Sequence, residues 1–285
     1  MVLGNFGSEA STQPLLSALE GVKDDPSSKA IIAMQLTEVP TTEATLEAYR
    51  KVYEELKPET QIPNGMAREV LAMRASEFYD PGLTPWLVKT ATDLKGDSES
   101  IDPVRGALFF AAMKLMQPEQ VAEVDTLAAV KSFTMVADEK TGQEKKKETT
   151  IGEGFKEQYP ASKATFEKCK GEPKSQLKCY MGLATNEELH GKKETLFTSV
   201  KALYMIGMHG GAAERDQLLD EIVKVRNADI RNAMLMVIQK LTPKDGAAAA
   251  EKLEGHFEKA EELKDQEKMA AYNVFLQLAA KLRAR

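Results

Sequence analysis

Two cysteines and three histidines are the scarce side chains in this 285-residue sequence whose types suit nucleophilic, redox or metal chemistry. Cys169 and Cys179 stand in EKCKGEPKSQLKCYMGLA, residues 167–184, with Gly171 and Pro173 between them. A zinc site needs about four ligands, but the chain has no third cysteine and no histidine falls in this segment. A redox-active pair favours C-x-x-C at a helix start, and the spacing here differs. Gly171 suits the end of a helix over ASKATFEKCK, and Pro173 suits the first position of the next helix. The cysteines then face each other across a helix–helix turn, where the Cα separation of a disulfide is attainable. The segment predicts a structural disulfide between Cys169 and Cys179, with two buried free thiols as the alternative.

Other chemistry-bearing patterns are sparse. His190, His209 and His256 lie far apart, and none belongs to an H-E-x-x-H motif. They read as surface or interhelix residues. The chain shows no phosphate-binding P-loop, no G-x-G-x-x-G and no G-x-S-x-G elbow. Gly207, Gly210 and Gly211 in IGMHGGAAE are expected to end a helix, in the left-handed cap conformation open to glycine. The acidic pairs Asp24-Asp25, Glu54-Glu55 and Glu261-Glu262 read as solvated charge at helix ends or on polar faces. Met34, Met73, Met113, Met205, Met234 and Met236 read as core filling, or alternatively as an adaptable binding face. No catalytic, cofactor-binding or metal-ligating residue is assigned, and the chain reads as non-enzymatic.

The elements that position these residues are helices. Hydrophobic residues make up 42% of the chain and charged residues 29%, ordinary for a folded globular protein. Helix formers dominate, and period-two runs of β-branched residues are nearly absent. In TTEATLEAYRKVYEELKP, Thr41 or Thr42 caps, Leu46, Tyr49, Tyr53 and Leu56 share one face, and Pro58 blocks continuation. In ERDQLLDEIVKVRN, Leu218, Leu219, Ile222 and Val225 form the stripe. Each such helix needs a neighbour to cover its apolar face.

A block of about a dozen Ala-, Leu- and Met-rich residues recurs, each time after another amphipathic helix. It starts at Ser27, Gly65 and Pro103, 38 residues apart, and again at Thr195, Asp229 and Gln266, 34 and 37 apart. Asp102-Pro103-Val104-Arg105 before GALFFAAMKL, and Asp229-Ile230-Arg231 before NAMLMVIQKL, resemble the second helix of HEAT repeats. The aspartates are expected to accept N–H bonds at the helix start. Val104 and Ile230 should pack inward, and Ala107, Ala111 and Ala112 should allow close helix approach. The resemblance implies an all-α, right-handed α-solenoid of HEAT-like helical pairs, about seven of them at this period. Residues 12–133 form its N-terminal repeats and 155–285 its C-terminal repeats, with 1–11 a flexible tail. Residues 134–154, with five acids and four lysines, divide the array. They read as a solvated insertion or as a small hairpin turning at Thr141-Gly142.

The formal net charge of −6 disfavours non-specific nucleic-acid binding, and no apolar run reaches the length of a membrane span. A long concave face suits an extended protein or peptide, so a scaffold or adaptor without cofactors is the expected function. A HEAT-like lyase, a glycosylase or a ligand-binding protein with a pocket in the curve is the alternative. Cys179-Tyr180-Met181 resembles the repeat opening of HEAT-like proteins of the bacterial cell envelope. A structural disulfide points to an oxidising compartment as well. The reading is periplasmic or envelope, with a targeting segment missing from the sequence, and cytoplasmic as the alternative. MVLGNFGSEASTQP itself lacks the pattern of a signal peptide.

Overall fold

A computed structural model describes residues 7–95, 98–137, 144–244, 246–255 and 266–285. Sixteen α-helices and four short strands are formed there, so the protein is mostly helical. The chain opens with α1 (Thr12–Gly21), α2 (Pro26–Gln35) and α3 (Glu43–Glu55). The Asp25 carboxylate caps α2 by accepting the Ser28 N–H at 3.0 Å, so this aspartate has a partner rather than being merely solvated. Thr42 caps α3 through the Thr45 N–H at 3.2 Å, and Leu46, Tyr49, Tyr53 and Leu56 are all buried. A two-residue ribbon, β1 (Gln61–Ile62) against β2 (Gly65–Met66), leads into α4 (Ala67–Arg74). Then come α5 (Thr84–Asp93), α6 (Ser98–Leu115) and α7 (Val121–Ala128).

The described part of the charged insertion is a hairpin arm. β3 (Lys131–Ala137) runs antiparallel to β4 (Glu144–Thr150), with Lys131 opposite Thr150 and Phe133 opposite Glu148. The turn expected at Thr141-Gly142 lies outside the described residues. The chain continues with α8 (Ile151–Gly154), α9 (Gln158–Lys168), α10 (Leu177–Ala184) and α11 (Glu187–His190). It closes with α12 (Lys193–His209), α13 (Ala212–Glu221), α14 (Ala228–Lys240), α15 (Gly246–Gly255) and α16 (Gln266–Arg283).

The six recurring blocks are the helices α2, α4, α6, α12, α14 and α16, and each packs against the next in that order. Other helices also pack on one another, α1 on α3, α5 on α7 and α13 on α15. Ala107, Ala111 and Ala112 are buried on α6, which touches α4, α5, α7, α9 and α12. Small side chains let that many neighbours approach one helix. The end of α6 is closed from α12. The Lys201 ammonium, fully buried, donates to the carbonyls of Lys114 at 2.7 Å and Met116 at 2.6 Å. Those carbonyls carry the negative end of the helix dipole. Burial pushes the Lys201 amine well below its ordinary range.

Several expectations are corrected. Asp102 and Asp229 do not cap their helices. Helix α6 begins at Ser98 and takes Pro103 into its interior. The Asp102 carboxylate instead holds Arg105 at 3.1 Å and accepts from the Ser132 hydroxyl at 3.0 Å and the Phe133 N–H at 3.3 Å, tying the hairpin to α6. At α14 the cap is Asn227, whose side-chain oxygen accepts from the N–H groups of Asp229 and Ile230. The paired arginines share a different role. Arg105 donates to the carbonyls of Ala91 and Leu94, and Arg231 to that of Val225, so each secures the chain just before its own helix.

Gly207, Gly210 and Gly211 are not left-handed; among the glycines Gly7, Gly65 and Gly171 have positive φ. Gly207 lies within α12, where the Tyr79 ring covers it. A Cβ there would stand 2.6 Å from the ring's Cε1. Tyr79, at φ 51°, stacks on Tyr204 with centroids 4.9 Å apart. Of the methionines, Met73 and Met236 are not core, being 41% and 37% exposed.

Candidate functional site

Cys169 and Cys179 are brought to disulfide distance, with Cα atoms 5.7 Å apart. They sit where α9 ends and a 3-10 turn starting at Pro173 leads into α10. Gly171, at φ 110°, makes the turn. This is a joint, with Cys169 buried in the core.

The histidines stay apart. His190 is buried and its Nε2 lies 2.9 Å from the Ala184 carbonyl at the end of α10. His209 Nε2 lies 2.8 Å from Gln117 Oε1. Burial lowers the His209 pKa, and the Lys201 charge adds to that. His256 and the pair Glu261-Glu262 lie outside the described residues. No group of three or more His, Cys, Asp or Glu side chains among the described residues is arranged to hold a metal ion.

Charge converges elsewhere, in a cleft of about 480 Å³. Its walls are residues 37–41 after α2, Arg74 and Glu77 at the end of α4, Tyr79, the last turns of α14, and Lys281 and Arg285 at the end of the chain. Four cations, Arg74, Lys240, Lys281 and Arg285, face two carboxylates, Glu38 and Glu77. Both carboxylates are already engaged. Arg74 donates to Glu77 at 2.7 Å through Nε and to Glu38 at 2.8 Å through Nη2. Gln239 takes the other Glu38 oxygen at 3.1 Å.

The half-buried cations Lys240 and Arg285 have only neutral oxygens as partners among the described residues. The Lys240 ammonium donates to the Thr41 hydroxyl. Arg285 donates to the carbonyls of Gln239, Thr242 and Glu38, while its buried Nε has no partner among the described residues. Burial pushes the Lys240 amine down to about 8; Asp80 opposes that shift and Arg285 adds to it. Burial likewise brings the Arg285 guanidinium down to about 10, against the pull of Glu38. An isolated buried cation is costly unless an anion neutralises it. The cleft carries more cationic than carboxylate side chains.

These contacts join chain segments about 200 residues apart, Glu38 to Gln239 and Thr41 to Lys240. Gly7 lies against the Glu38 carbonyl and Arg285 in the same place. No periodicity marks such a meeting, and sequence reasoning missed every residue of it except Met236, whose adaptable-face alternative fits a cleft wall. A second groove, about 590 Å³, runs between α1, α2 and α3; its walls are ordinary amphipathic faces with the exposed pair Lys29 and Glu55 at 3.0 Å.

No helix among the described residues is long and apolar enough to cross a membrane. No family model matches the chain, and neither does any curated protein or solved structure.

Proposed function

We propose that the chain is a non-catalytic binding protein, a HEAT-like right-handed α-solenoid that docks a protein or peptide partner, with the cleft at residues 37–41, Lys240 and Arg285 as the anchoring point. The serial packing of α2, α4, α6, α12, α14 and α16 supports the repeat architecture, because nearest-neighbour stacking is how such arrays bury their core. The observation that carries the binding role is the excess of half-buried cations over free carboxylates in the cleft. A volume of about 480 Å³ is also that of a small-molecule site, which keeps a small-ligand receptor as the second reading. The cysteine pair supports an extracytoplasmic site of action, the periplasm or cell envelope.

The test is a photo-crosslinking residue placed at Met236, which is partly exposed and lines the cleft, and in a second protein at Val223, which is exposed elsewhere. In cells of the native organism a discrete protein adduct should form from position 236 and not from 223. Equal, diffuse labelling from both positions would overturn the partner reading.

A further inference from the structure

We infer that the cleft holds an oxyanion, a carboxylate or phosphate group, seated on the Lys240 ammonium with Arg285 and Lys281 beside it. The inference rests on reading the cleft as the binding site and names the chemistry of what enters it. An ammonium has three donors, and the Thr41 hydroxyl is the hydrogen-bond acceptor for Lys240 among the described residues. Two N–H groups are left for a ligand. The Arg285 Nε is a further buried donor without a partner there.

The neighbouring carboxylates are not substitutes. Glu38 is fixed by Arg74 and Gln239, and Glu77 by Arg74 and the Thr37 hydroxyl at 2.9 Å. Arg74 thus holds both acids, and neither forms an ion pair with Lys240 among the described residues. Asp80 acts on Lys240 only through its field, with no ion pair to it among the described residues. Lys281 lines the same space and adds positive charge. An oxyanion offers several acceptors at once, so one group can take both remaining ammonium donors in charge-assisted bonds, with the Arg285 charge nearby. The apolar wall from Val39, Pro40, Met236 and Pro243 then contacts whatever carries that group.

The experiment uses the full chain at constant ionic strength in chloride. Inorganic phosphate, succinate and a tetraglutamate peptide are titrated by calorimetry and by thermal shift. At least one probe should bind saturably and raise the melting temperature. Lys240→Met should weaken that binding by about tenfold or more, the effect of losing one charge-assisted pair. It should also melt higher than wild type without the probe, because a thioether replaces a half-buried charge. Lys281→Ala, at the same cleft, gives an independent reading and should weaken binding by a smaller factor. Lys252→Met, whose ammonium pairs with Asp220 at 2.7 Å outside the cleft, should bind as wild type.

No saturable binding of any probe would overturn the inference, as would unchanged affinity in both Lys240→Met and Lys281→Ala. Displacement of phosphate by tetraglutamate assigns the group to a polypeptide, and phosphate or succinate binding without displacement assigns a free anion; both support the site. Anion binding without an adduct from position 236 would remove the partner and keep the site. An adduct that persists in Lys240→Met, with no probe binding, would do the reverse.

Discussion

Substituting Gly207 by alanine tests how the two halves of the helical series are joined. Taken alone, the change should stabilise helix α12, because alanine exceeds glycine in helix propensity by about 1 kcal/mol. The structure opposes it. The new Cβ would stand 2.6 Å from Cε1 of Tyr79 and 3.2 Å from Cγ, where carbon atoms need about 3.5–4.0 Å. The ring must move by about 1 Å. It is buried, its backbone is held at φ 51°, and it stacks on Tyr204. Overpacking costs about 1–3 kcal/mol, and disturbing the stacked pair adds about 1 kcal/mol. Offset by the propensity gain, the net loss is about 1–3 kcal/mol, or a fall in Tm of roughly 2–9 °C for a chain of this size. Urea denaturation followed by far-ultraviolet circular dichroism measures it. In a Tyr79→Ala background the obstruction is gone, and Gly207→Ala should stabilise by about 0.5–1 kcal/mol. An equal loss in both backgrounds would refute the reasoning.

Three further outcomes are expected. Cys169→Ser with Cys179→Ser should cost about 2–3 kcal/mol, the chain-entropy value for so short a loop, and denatured, unreduced wild-type protein should show no titratable thiol; two thiols would remove the covalent joint and the compartment argument. Asp102→Ala leaves the Arg105 guanidinium, mostly buried, without its carboxylate and releases the Phe133 amide. It should cost about 3 kcal/mol and raise hydrogen exchange at Phe133 well before that at α6. Lys240→Met should change how stability varies with pH. The Lys240 pKa is about 8 in the fold and about 10.4 in the unfolded chain. The unfolded state therefore holds the extra proton between those values, so wild-type stability rises with pH across that window relative to Lys240→Met. The difference is at most about 3 kcal/mol. Arg285, Lys281 and Asp80 face the same site in both proteins, so their contributions cancel to first order. Parallel stability curves from pH 7 to 10 would contradict a depressed lysine.

The helices were legible because their signals are local. Thr42 caps α3, Leu218, Leu219, Ile222 and Val225 are buried as a stripe, and the six recurring blocks are helices that pack in sequence order. The turn at Gly171 and Pro173 was legible for the same reason. Asp102 misled because its type fits a cap, while its partners, Ser132 and Phe133, come from a hairpin 30 residues on. Gly207 misled because a glycine near a helix end suggests a cap, and nothing local shows that Tyr79 covers it. The cleft was illegible in principle. Lys240 and Arg285 look like any basic residues at helix ends, and their burial arises only when the segment after α2 meets α14 and the chain end.

The most direct test of the cleft as an anion receptor is the titration of Lys240 itself, followed by NMR of the lysine ¹³Cε groups, with the resonance assigned by its loss in Lys240→Met. In chloride it should titrate near pH 8, far below the bulk of the lysines near 10.4. Saturating phosphate should move that value upward, because a bound anion favours the charged amine. Titration with the bulk lysines, unmoved by phosphate, would contradict both the burial of the charge and its purpose.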